Sequence, residues 1–67
     1  MITLTVNGEK RELEMPTKLT AFLETLGVNP LYVAVAHNGA VLERGRWSEV
    51  VLQDGDVLEI VRMAGGG

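Results

Sequence analysis

The chain has 67 residues, 46% of them hydrophobic, a formal net charge of −3, a single His and no Cys. That length implies one domain with a small core, and the composition excludes disulfide or cysteine-based metal staples. The acidic balance argues against a nucleic-acid-binding face. No run approaches the roughly 18 apolar residues of a membrane span, and "MITLTVNGEK" has no signal-peptide pattern, so a soluble cytoplasmic protein is expected.

In chain order, Ile2, Leu4 and Val6 alternate with Thr3 and Thr5, the period-2 pattern of a half-buried strand. Asn7-Gly8 supplies the two positive-φ positions of a tight hairpin. "EKRELEM" returns as a more polar edge strand, with Arg11 and Leu13 on one face and Glu12 and Glu14 on the other. From Lys18 the period changes. Leu19, Phe22, Leu23 and Leu26 fall on one helical stripe, with Thr17 as the expected N-cap, Gly27 as a left-handed C-terminal residue and Pro30 as the stop. So short a helix is unstable alone and must lie on a sheet. The stripe is expected to cover the face carrying Ile2, Leu4 and Val6.

"YVAVAHN" reads as a largely buried strand, Asn38-Gly39 as a second tight turn into "AVLE", and "RGRWSEV" as irregular with one helical turn. In "QDGD", Asp54 is expected to bond the backbone ahead of it and Gly55 to take positive φ. "VLEIVR" is the last strand, apolar enough to be central. The order β-β-α-β-β-β specifies an α+β fold in which one helix packs on a mixed sheet of four to five strands. Residues 1–67 are expected to form a single domain, with 63–67 as a mobile C-terminal tail.

No catalytic constellation is visible. A nucleophile needs an oriented base beside it. His37 has only Ser48, Asp54 and Asp56 at spacings that suggest no triad, and it reads as a strand-end histidine at or near the surface. Asp54 and Asp56 lack the remaining oxygen ligands of a Ca²⁺ loop, Glu59 coming too early, and read as turn formers. Trp47 reads as the plug of a satellite core under "LERGRWSEVV". The glycines at 65–67 remain. Glycine has the highest ordering cost of any residue and no side chain, so this run is expected to be mobile, and narrow enough to enter a partner's site.

"NGAVLERGRWSEVVLQDGDVLEIVRMAGGG", together with "ITLTVNGEKRELE" at the start, resembles the ThiS proteins, sulfur carriers of thiamine biosynthesis with the β-grasp (ubiquitin-like) fold. The resemblance covers essentially the whole chain. Its most specific parts are Asn38-Gly39, Arg44, Trp47, Asp54-Gly55-Asp56 and the terminal glycines, in that order and spacing. It implies that a ThiF-type adenylyltransferase uses ATP to adenylate the carboxylate of Gly67. Sulfur from a persulfide donor then gives a thiocarboxylate, from which thiazole synthase takes sulfur for the thiazole ring. Gly67 is thus the modified residue, with Gly65 and Gly66 as the tail that partner active sites require. The resemblance further implies a co-substrate rather than an enzyme, with no cofactor bound by the chain itself. His37 stands where this family leads one to expect an aliphatic residue.

Other readings stay open. The small subunit of molybdopterin synthase uses the same chemistry, although those chains usually carry an insertion where only "VNP" separates Gly27 from Leu31. A ubiquitin-like protein modifier and a passive β-grasp interaction module are the others. The uncovered face of the sheet around Val61 and Met63 is expected to dock the activating enzyme, with the acidic carrier meeting a basic patch.

Overall fold

Strand alternation, two Asn-Gly turns and one apolar stripe become the following elements in the computed structural model, which describes residues 1–63. The strands are β1 (Ile2–Val6), β2 (Glu9–Leu13), β3 (Thr17–Lys18), β4 (Val33–His37), β5 (Ala40–Val41), β6 (Val51–Leu52) and β7 (Val57–Arg62). Helix α1 (Leu19–Leu26) lies between β3 and β4. Asn7 and Gly8 join β1 to β2 at φ 51° and 84°, and Asn38 and Gly39 join β4 to β5 at φ 50° and 86°. Both are doubly positive turns, whose twist suits the flanking strands.

Five strands make one sheet in the order β2-β1-β7-β4-β5, with β1 and β7 parallel and the other neighbours antiparallel. The last strand is therefore central, as its apolar sequence requires, and the charged β2 is an edge, where charge discourages further pairing. The sheet is mixed, and α1 lies across one face of it, burying Leu19, Phe22 and Leu23. These side chains join Ile2, Leu4, Val6, Val35 and Leu58 in one cluster.

Helix α1 ends as expected, with Gly27 at φ 73° and its N–H bonded to the Glu24 carbonyl. Its start does not follow the expectation. Thr17 and Lys18 pair with Leu52 and Val51 as a two-stranded ribbon, β3 with β6, which holds Lys18 extended at the cap position. The Thr17 hydroxyl donates to the Met15 carbonyl at 2.9 Å, and the Leu19 N–H is satisfied by the Val50 carbonyl at 3.0 Å. A backbone acceptor from the residue just before the ribbon's return strand thus replaces a side-chain cap.

Pro30 ends the helical direction but opens a short 3₁₀ turn, Pro30–Tyr32, a position that suits a residue without an N–H. Asn29 caps it by accepting from the Leu31 N–H at 2.9 Å. Trp47 corrects the satellite-core expectation. It sits on the 3₁₀ segment Arg44–Glu49, which packs against α1, and its ring is buried in the same cluster as Phe22 and Leu58. The indole N–H donates to the Leu42 carbonyl at 3.3 Å, while the Arg44 guanidinium lies 5.3 Å from the ring centroid and donates to the Val33 carbonyl at 3.2 Å.

With Phe22 only 2% exposed between helix and sheet, Phe22→Ala is expected to cost about 3–5 kcal/mol. Denaturant titration checks this. A loss below about 1 kcal/mol, the scale of an ordinary surface change, would mean that α1 is not docked on this face.

Candidate functional site

β7 outruns both of its neighbours, and an asparagine side chain extends the ladder at each end. β1 pairs with β7 only through Thr5↔Val57 and Val6↔Leu58 before the chain turns away. Beyond that point the Asn7 N–H donates to the Leu58 carbonyl at 2.9 Å, and the Asn7 side chain takes over. Its Oδ1 accepts from the Ile60 N–H at 2.8 Å and its Nδ2 donates to the Ile60 carbonyl at 3.1 Å. At the start of β7 the Asn38 N–H donates to the Val57 carbonyl at 2.8 Å, and Asn38 Oδ1 accepts from the Val57 N–H at 2.8 Å. A carboxamide carries the donor and acceptor of a peptide group, so the Asn7 side chain serves as one more residue of a strand, while Asn38 pairs through its Oδ1 and its own N–H and turns its Nδ2 to Asp56 Oδ1.

On its β4 side the pairing runs to Val33↔Arg62, and the Met63 N–H donates to the Tyr32 carbonyl at 2.8 Å. The strand is held by backbone bonds as far as Met63, the first residue of the expected tail. Gly65, Gly66 and Gly67 lie outside the described residues.

Alternation divides β7 between the two faces of the sheet. Leu58, Ile60 and Arg62 share the α1 side with their partners Val6, Val35 and Val33. Val57, Glu59 and Val61 point the other way, beside Thr5, Ala36 and Ala34. Val41, opposite Ala36, completes a largely apolar uncovered patch with one acid, Glu59, at its centre. Val61 is 59% exposed and Met63 43%, so the patch reaches the end of the strand.

Beside the other end of β7 lies the only histidine, His37, the last residue of β4. His37 Nε2 lies 2.8 Å from Asp56 Oδ2, with both side chains largely covered. Asp56 also accepts from the Gln53 N–H at 2.9 Å and from Asn38 Nδ2 at 3.2 Å. Burial acts to raise the Asp56 pKa, but the hydrogen bonds from His37, Gln53 and Asn38 and the charge of His37 outweigh it. The carboxyl sits below its ordinary value. Asp54 does not bond the backbone ahead: its Oδ1 accepts from the Thr3 N–H at 2.7 Å, and the Gly55 N–H donates to the Thr3 carbonyl at 2.8 Å. The aspartates thus form a turn, with Gly55 at φ 87°, and tie it to β1 and to the β4–β5 hairpin.

Residues 57 to 62 separate this His–Asp pair from the strand's far end, about 20 Å at the rise of a strand. Among the described residues, no group of three or more acidic or histidine side chains is placed to hold a metal ion. None of their helices is long and apolar enough to cross a membrane. The arrangement offers a rigid strand that ends beside an uncovered apolar face, with its one acid–base pair at the wrong end for chemistry there. Asn7 and Asn38 are the contributors that sequence reading missed. Their bonding partners lie 53 and 19 residues along the chain, beyond any local pattern.

Residues 4–67 match the family model described as the ThiS family. The crystal structure of the thiamine biosynthesis protein ThiS from Geobacter metallireducens superposes with a TM-score of 0.85 at 36% identity, covering 98% of this chain and 100% of that one. A thiazole synthase of Magnetococcus marinus is 45% identical over 62 residues, 92% of this chain, and one of Paramagnetospirillum magneticum is 39% identical over 64 residues, 96% of this chain. The chain spans about a fifth of the length of these two relatives, 19% and 20%.

The low Asp56 pKa sets the sign of an acid effect. Its carboxylate is ionised at lower pH in the folded protein than in the unfolded chain, so its bonds add stability above the unfolded value of about 3.9. That contribution is lost as pH falls through the folded value. Asp56→Asn is expected to lower stability by about 1–3 kcal/mol at neutral pH and to flatten the fall in stability at acid pH. Denaturant titrations from neutral to acid pH read both effects. An acid limb as steep as in the natural protein would assign the effect to other carboxylates.

Proposed function

The chain belongs to the ThiS family, and from that premise we propose that it is a sulfur carrier of thiamine biosynthesis, loaded at the carboxylate of Gly67. A carboxylate is a poor electrophile, so a ThiF-type adenylyltransferase must first transfer AMP from ATP to its oxygen and release pyrophosphate. A persulfide donor then attacks the acyl carbon and AMP leaves. A thiol splits the resulting acyl disulfide to the thiocarboxylate and is itself oxidised to a disulfide. Thiazole synthase takes the sulfur; the two relatives of that name, which contain a segment similar to this chain, support that partner. The need for ATP is consistent with work in the cytoplasm. The chain has no Cys with which to hold a persulfide of its own, and the chemistry of each step belongs to the partners.

The observation that carries this reading is the family match over residues 4–67, which includes Gly65, Gly66 and Gly67. The strand geometry supports it. β7 is bonded through Met63, so an enzyme can grip a rigid body and draw in only Ala64 and the three glycines that follow. Gly65 and Gly66 serve as the narrow segment that passes a partner's active-site entrance. Val61 and Met63, on the strand that leads to them, are the surface on which the activating enzyme docks.

Incubated with a ThiF-type enzyme, ATP, a persulfide donor and a thiol, the protein should gain the mass of one oxygen replaced by sulfur. Fragmentation should place that change on Gly67. A chain extended by Ala after Gly67, and one lacking Gly66 and Gly67, should keep the natural melting curve, since the core cluster and its packed neighbours lie at or before Ile60. Both should accept sulfur poorly. Val61→Asp should weaken association with the activating enzyme by about tenfold while leaving the fold intact. Loading of the extended chain as efficient as that of the natural one would remove Gly67 as the acceptor.

A further inference from the structure

Helix α1, eight residues and about 12 Å long, is shorter than β7, whose six residues span about 20 Å. The α1 side of the sheet is open beside Leu26, where the helix ends. A groove of about 340 Å³ opens there, floored by Leu26, Val28, Val33 and Ile60. Its charged lining is Arg11, Arg62 and Glu9. The register brings both arginines to this face, Arg11 opposite Leu4 and Arg62 opposite Val33. Among the described residues, neither has a carboxylate within 4.0 Å, whereas Arg46 has Glu49 at 3.8 Å. In a chain of net charge −3, two arginines without such a partner, against a single Glu9, gather over one aliphatic floor.

We propose that this groove receives an acidic segment with an aliphatic anchor, belonging to the enzyme that adenylates the chain; the proposal rests on the carrier reading above. A lone small anion would satisfy the arginines but leave the floor wet, and an apolar segment alone would leave two cations in the contact without counter-charge. A segment carrying both features meets both demands. The location selects an enzyme that takes up the tail, and on the carrier reading the adenylating enzyme is the first to do so. Arg62 is next to Met63, so any protein that takes residues 64–67 into its site covers the ground beside the groove. The strand is then gripped on two faces, with Val61 on the uncovered side and Arg62 on the α1 side. The local polarity is the reverse of the acidic-carrier expectation: at this groove the carrier is the basic partner.

The test is ATP–pyrophosphate exchange by a ThiF-type enzyme with the full chain as substrate, at low and at high salt. Arg11→Glu with Arg62→Glu should raise the KM for the carrier by about tenfold at low salt, with kcat changed by less than about twofold. The excess should shrink at high salt. Lys18→Glu with Arg46→Glu makes the same change in net charge away from the groove and should shift KM by less than about twofold. Circular dichroism reports folding; should the reversal variant fail to fold, Arg11→Gln with Arg62→Gln replaces it, with a smaller KM increase of the same kind. A natural chain that turns over while the groove variants match it overturns the groove and leaves the carrier reading standing. An equal rise in the charge-matched control also overturns the groove. A natural chain that is not adenylated at all overturns the carrier reading, and the groove with it.

Discussion

Two side-chain carboxamides hold the central strand at the ends its neighbours do not reach. Among the described residues the core comprises eleven buried side chains, and nearly all of them contact or flank β7 or the helix above it. So small a core leaves little margin, and unpaired backbone groups in the middle of the sheet would consume it. Asn7 serves the Ile60 N–H and carbonyl, and Asn38 binds the Val57 N–H. Each of these residues also takes the positive φ that a tight hairpin turn demands. One residue type meets both requirements, since Asn tolerates the left-handed region and carries a peptide-like amide. Glycine would meet the first and not the second.

From that clamp follows the division of labour along β7. Its beginning is closed by the turn in which Asp56 gathers His37, Asn38 and Gln53, and by the bonds of Asp54 and Gly55 to Thr3. Its end is held by Tyr32 at Met63, where the described chain stops. The rigid end is clear of the acid–base pair and flanked by an apolar face on one side and an arginine-lined groove on the other. On the proposed carrier reading, the fold presents a strand end and leaves adenylation and sulfur transfer to the proteins that receive it.

Much of this was legible in the sequence wherever the signal was local. The alternation of Ile2, Leu4 and Val6, the stripe from Leu19 to Leu26, the glycine at 27 and both Asn-Gly turns need only their own neighbours to be read. Long-range partners were not legible. Thr17 has the chemistry of an N-cap, but the ribbon with Val51 and Leu52 claimed its backbone. Trp47 sits in an irregular stretch, and only the folding of that stretch against α1 reveals it as part of the main core. Asp54 bonds Thr3 rather than its own turn, 51 residues away. The groove was equally hidden, since Arg11 and Arg62 meet only through strand order. The glycines at 65–67, on which the proposed chemistry turns, are plain in the sequence and lie outside the described residues.

The claim that β7 is clamped by side chains and held through Met63 is tested most directly by amide hydrogen exchange, residue by residue. In the natural protein the Val57, Ile60 and Met63 N–H groups should all be protected, although Ile60 donates to no backbone carbonyl and only to Asn7 Oδ1. Asn7→Gly, which keeps the turn's positive φ, should raise exchange at Ile60 well beyond its effect on Val57. Exchange at Ile60 that is already fast in the natural protein, or that Asn7→Gly leaves unchanged, would contradict the account.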